Sequence, residues 1–174
     1  MARFAEHVAR PPPTLVSSYN ASMQGTSQRA DLLVCDSAGQ PVATIELKNR
    51  EQLSRDVAIQ LRRNLATHAA LGTAPYFLLL SQDAGYLWKN AHASELQAPP
   101  SAEFPMQGVV RRYSPGPDWS GRLGESEFAA LVFRWLQSLT DQTNGVRDSA
   151  ERTLKEAGLL DAMRGGSVAH QVRV

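Results

Sequence analysis

Asp31 and the triplet Glu46-Leu47-Lys48 set two acids and an amine within eighteen residues of this chain. Asp31 sits in Ala30-Asp31-Leu32-Leu33-Val34, and the triplet ends Ala43-Thr44-Ile45-Glu46-Leu47-Lys48. Between them Ser37-Ala38-Gly39-Gln40 reads as a hairpin loop. In a hairpin symmetric about Ala38-Gly39, residues whose numbers sum to 77 face each other, so Asp31 falls opposite Glu46. Directly opposed side chains have Cβ atoms roughly 5 Å apart. Two carboxylates at that distance repel unless a positive charge lies between them. Period-two alternation puts Lys48 on the face of Glu46. Two acids and one base thus gather at one end of a sheet.

Phosphodiester cleavage needs such a group. Magnesium or manganese wants hard oxygen ligands, and magnesium takes one or two carboxylates together with waters and a phosphate oxygen. The metal ligands expected here are Asp31, Glu46 and the Leu47 backbone carbonyl. Lys48 can orient the attacking water or stabilise charge on the phosphate, and the sequence leaves both roles open. A lone Glu-x-Lys on a strand is ordinarily a surface charge pair. The flanks argue otherwise. Leu32, Val34, Ala43, Ile45 and Leu47 make the opposite face apolar, and Leu33 and Cys35 add apolar positions beside the acids. Acids at the end of central strands require a reason.

These residues need elements to position them. The pattern predicts helical turns over residues 1–10, stopped by Pro11-Pro12-Pro13, then strands at about 14–20, 29–36 and 42–48. A long helix is expected from about Glu51 to Leu71, with Leu53, Val57, Leu61 and Leu65 recurring every four residues. Apolar Pro75–Ser81 reads as a strand covered on both faces, and Tyr86–Lys89 as another. Residues 90–123, broken by five prolines, read as a long loop, mobile or contacting a partner, with one short strand at 108–113. Helices are expected near Glu125–Leu139 and Arg147–Met163. The order predicts an α/β fold, a mixed sheet flanked by helices. The core would occupy 14–89 and a loop and helical extension 90–174, all in one domain.

Composition narrows the classes. A chain of 174 residues with 43% hydrophobic and 20% charged content is ordinary for a folded protein. A net charge of +1 excludes coating nucleic acid through bulk charge, so any contact needs a local patch. Arg50, Arg55, Arg62 and Arg63 surround the expected helix and are candidate phosphate contacts. The single cysteine, Cys35, excludes an internal disulfide and reads as a core thiol. The four histidines show no zinc-ligand spacing, and Gly165-Gly166 does not stand between a strand and a helix as a phosphate loop would. No apolar stretch suits a signal peptide or a membrane span, which makes the cytoplasm the expected address.

Asp, about fifteen residues, then Glu-x-Lys, followed by a helix and an apolar strand, resembles the PD-(D/E)XK nuclease superfamily with its restriction-endonuclease-like fold. The similarity runs from about Thr14 to Lys89 and is nearest to the nuclease domains of type I restriction subunits and small bacterial relatives. It implies that Asp31 and Glu46 bind metal and that Lys48 is catalytic. It also implies a site role for Gln60, which stands where many members carry a glutamine. Ala30 replaces the family's proline, and Glu6 is the candidate for the acid often supplied by a first helix. The expected function is a metal-dependent endonuclease acting on nucleic acid, DNA first, as a homodimer or with a partner subunit. The alternatives are a nuclease-fold module that lost activity and binds DNA or protein, and an unrelated α/β protein whose acids pair with arginines.

Overall fold

Alternation along the first strands decides which side chains go where. The computed structural model describes residues 30–67, 72–91, 95–114, 116, 121–141 and 145–171. Strand β1, Leu32–Cys35, pairs antiparallel with β2, Pro41–Leu47. The pairs Leu32 with Ile45, Leu33 with Thr44 and Val34 with Ala43 keep the register read from the sequence, and a bulge shifts it at Cys35. Helix α1, Arg55–Thr67, then carries the chain to β3, Tyr76–Leu80, which lies parallel to β2. Strand β4, Ala84–Lys89, returns antiparallel.

Beyond β4 the structure departs from the sequence reading. Residues 102–105 form β5 (Ala102–Pro105) against β4. The segment expected as a strand at 108–113 is instead helix α2, Gln107–Tyr113, which buries Val109 and Val110 together. Adjacent buried positions suit a helix face, whereas a strand would have turned one valine away. Helix α3, Glu125–Thr140, follows as expected. The single helix expected over 147–163 is two, α4 (Ser149–Glu156) and α5 (Leu159–Ala162). Gly158 separates them at φ 87°, a left-handed conformation that glycine adopts without strain. The chain closes with β6, Ser167–His170, antiparallel to β1. Gly166 makes that approach possible, since a Cβ there would stand 1.9 Å from the Cys35 carbonyl oxygen.

The sheet order is β5-β4-β3-β2-β1-β6, so β1, β2 and β3 are all interior strands. One face, with Leu32, Ala43, Ile45, Leu78 and Leu80, packs on α2 to α5 through Val109, Phe128, Trp135 and Leu154. The other, with Phe77, Leu79, Tyr86 and Trp88, packs on α1 through Ala58 and Leu65. Period two puts Thr44 and Glu46 on that second face. The architecture is mixed α/β, as the sequence predicts. No helix among the described residues is long and apolar enough to cross a membrane. The expected N-terminal helix, the strand at 14–20 and Glu6 lie outside the described residues.

Candidate active site

Glu46 is 1% exposed, near the end of β2 and in register with Leu79 of β3. Its Oε1 accepts a hydrogen bond from Lys48 Nζ at 2.6 Å. The lysine keeps 29% of its side chain in solvent, so its charge lies at the boundary between the buried carboxylate and water. Asp31 stands at a bend just before β1 and is half-buried. Its N–H donates to the Ile45 carbonyl at 3.0 Å, and its Oδ2 accepts the Leu47 N–H at 2.8 Å. That bond fixes the Asp31 carboxylate at the residue between Glu46 and Lys48. Sequence spacing thus brings Asp31, Glu46, Leu47 and Lys48 to one strand end.

The helix contributes less than expected. It begins at Arg55, not Glu51, because Gln52 takes φ 50° and Ser54 caps the first turn through bonds to the Val57 and Ala58 N–H groups. Gln60 is exposed, as are Arg63 and Asn64, and Gln60 lines a surface groove with Asp56, Arg63 and Gln97. It is therefore withdrawn from the site. Arg62 is a second correction. At 2% exposure its guanidinium donates to the carbonyls of Glu95 (3.0 Å) and Ala91 (3.2 Å) and lies 5.6 Å over the Trp88 ring. Burial lowers its pKa, against the opposing pull of Glu95. It braces the interior and is not offered to a phosphate. Arg55 pairs with Glu103 at the surface, while Arg50 and Arg63 are exposed.

Two residues near the site escaped the sequence reading. Gln82, buried just past β3, donates from Nε2 to the Leu123 carbonyl at 2.9 Å and accepts the Leu123 N–H at 3.0 Å. It also donates to Asn49 Oδ1, and Asn49 Nδ2 donates to the Leu123 carbonyl at 3.0 Å. This clamp joins the residue after Lys48 to the loop that starts α3. The available signal is the polar pair Ser81-Gln82 directly after the apolar strand. Glu125 is the other. It lines a cavity of about 200 Å³ together with Asp31, Leu47, Phe128 and His170, a position that depends on the unforeseen β6.

The donor set is hard oxygen: two carboxylates and a backbone carbonyl at one strand end. That fits a magnesium ion which keeps most of its waters. It does not fit an all-protein cage, since among the described residues no three His, Cys, Asp or Glu side chains gather closely enough to hold an ion. Comparison of the chain with protein-family models, curated proteins and solved structures gave no match.

Proposed function

We propose that the chain is a magnesium- or manganese-dependent nuclease of the PD-(D/E)XK type, hydrolysing phosphodiester bonds in nucleic acid, with DNA as the first substrate class and the cytoplasm as its address. The observation that carries this reading is the Glu46 carboxylate, 1% exposed on an interior strand and bonded to Lys48 at 2.6 Å, with the Asp31 carboxylate bonded to the N–H of the intervening Leu47. A pair of acids and an amine at the end of central strands contributes little to stability for what its burial costs. Phosphodiester chemistry gives that arrangement a use.

In this reading Asp31 and Glu46 hold the ion, which when bound activates a water and offsets charge on the phosphate oxygens. Lys48 presents its ammonium to the substrate side of Glu46, where it stabilises the phosphate as charge builds or holds the attacking water. The test is cleavage of single- and double-stranded DNA with magnesium or manganese. EDTA should abolish cutting, calcium should permit binding without efficient cutting, and Glu46→Gln and Lys48→Ala should each lower turnover by roughly 100-fold or more.

A second reading has its own support. The Lys48 charge is already matched by Glu46, and the described residues hold no three-ligand group. Both favour a module that keeps the fold and binds DNA or protein without chemistry. DNA binding that survives in both variants, with no substrate cut under any divalent ion, would decide for it.

A further inference from the structure

We propose that the cavity beside Asp31 is a nucleobase subsite that takes one unstacked base of a nucleic-acid strand, guanine in preference to thymine. The inference rests on the nuclease reading for placing a strand near Lys48. The cavity lies among the start of β1, the end of β2, the first turns of α3 and the end of β6. At about 200 Å³ it is several times the roughly 30 Å³ share of one water and smaller than pockets for drug-sized ligands, roughly 300–1,000 Å³. That is room for a flat ring system, not for a dinucleotide.

Its walls offer the three things a base needs. Leu47 and Ala129 supply partly exposed apolar surface, with Leu32 and Phe128 buried behind them. His170 supplies an aromatic ring. Phe133 holds that ring from one side, with centroids 4.8 Å apart and planes within 6° of parallel, yet His170 remains exposed. Lining the cavity and held by Phe133, the ring offers a surface for stacking, and stacking on aromatic rings is how unpaired bases are commonly held. Asp31 and Glu125 supply acceptors. Asp31 Oδ2 is taken by the Leu47 N–H, whereas Glu125 makes no hydrogen bond or ion pair among the described residues. Glu125 is therefore the acceptor available to a ligand.

The charge of the walls decides what enters. Two carboxylates repel a phosphate, so the occupant presents donors. Guanine offers two adjacent donors, its N1–H and N2 amino group, which one carboxylate can accept together. Thymine offers a single imino N–H. An aliphatic polyamine would satisfy the acids but would leave the ring and the apolar surface without a partner.

The experiment measures binding to the full chain in EDTA, where nothing is cut. Guanosine 5′-monophosphate should bind saturably, and thymidine 5′-monophosphate roughly tenfold more weakly. A short single-stranded DNA carrying one guanine should displace the bound nucleotide, and spermidine should not. Glu125→Gln, an exposed and near-isosteric change, should erase the preference for guanine. His170→Ala should weaken both nucleotides alike by roughly tenfold. Absence of saturable binding, equal binding of the two nucleotides, displacement by spermidine but not by the oligonucleotide, or affinity unchanged in both variants would overturn the proposal. The readout is independent of cleavage. A protein that binds guanosine monophosphate in this pattern yet cuts nothing would refute the nuclease reading while supporting the base subsite.

Discussion

Glu46 is buried where a carboxylate is expensive, and its 2.6 Å bond to Lys48 returns only part of that cost. Replacing one partner of such a pair strands the other, whereas replacing both with neutral groups of similar shape is often neutral or stabilising. Because Glu46 is 1% exposed, the single change Lys48→Met takes the ammonium from a buried carboxylate and should cost about 3–5 kcal/mol. The double variant Glu46→Gln with Lys48→Met should recover most of that loss or exceed wild-type stability, measured by urea unfolding. Under the nuclease reading the same double variant should be inactive. A pair retained for chemistry is one the fold can do without. If the double variant is instead the least stable of the set, the pair serves the fold. These residues were legible in the sequence because a charged residue at an apolar strand's end stands out against its neighbours. Asn49 and Gln82 were not, since an amide's role depends on which backbone groups it meets, here those of Leu123.

At the scale of elements, legibility followed the length of the periodic pattern. The β1–β2 register could be read because alternation over two strands and a short loop permits one good pairing. Helix α3 carries a long apolar stripe and was placed to within a residue. Strands β5 and β6 have four residues each and, unlike β1, no short hairpin loop to a long partner strand, and β6 also depends on Gly166 meeting Cys35. Helix α1 is legible in the sequence, but the roles of its charged residues are not, as the buried Arg62 shows. Sequence spacing does not distinguish an arginine facing solvent from one turned inward onto backbone carbonyls, as Arg62 is onto those of Ala91 and Glu95. Arg62 tests that distinction. Arg62→Lys cannot reproduce the planar fork between Ala91 and Glu95 or its stacking over Trp88. It should destabilise the fold by about 1–3 kcal/mol, seen as a lower melting temperature. Weaker DNA binding at an unchanged melting temperature would return Arg62 to the phosphate contacts.

Across the whole molecule, a second buried ion network sits apart from Glu46 and Lys48 and gives the protein its clearest dependence on pH. Glu151 is fully buried on α4 and accepts from the Arg147 N–H and Nε at 2.8 and 2.9 Å and from Arg112 Nη1 at 2.8 Å. Arg112 also donates to Asp148 at 2.7 Å, and Asp148 caps α4 through the Glu151 N–H. The Trp135 ring N–H points at the same Glu151 oxygen, which ties α2, α3 and α4 to one carboxylate. Burial alone would raise the Glu151 pKa, but the bonds from Arg147 and Arg112 outweigh it and hold the group below its ordinary 4.5. A carboxyl lowered on folding contributes stability that is fully present above the unfolded value and is lost as pH falls through the folded one. Glu151→Gln should therefore cost about 2–3 kcal/mol at pH 7, less than a fully buried pair because Arg112 and Arg147 can rehydrate. As pH drops below 4.5 the wild type should lose that advantage, and the two melting curves should converge. Under the nuclease reading, cleavage at neutral pH should survive the change in whatever fraction remains folded, since these bonds join Arg112, Trp135, Arg147, Asp148 and Glu151 to one another. A gap between the two proteins that stays constant from pH 7 to pH 3 would show that Glu151 stabilises through shape, with its charge contributing nothing.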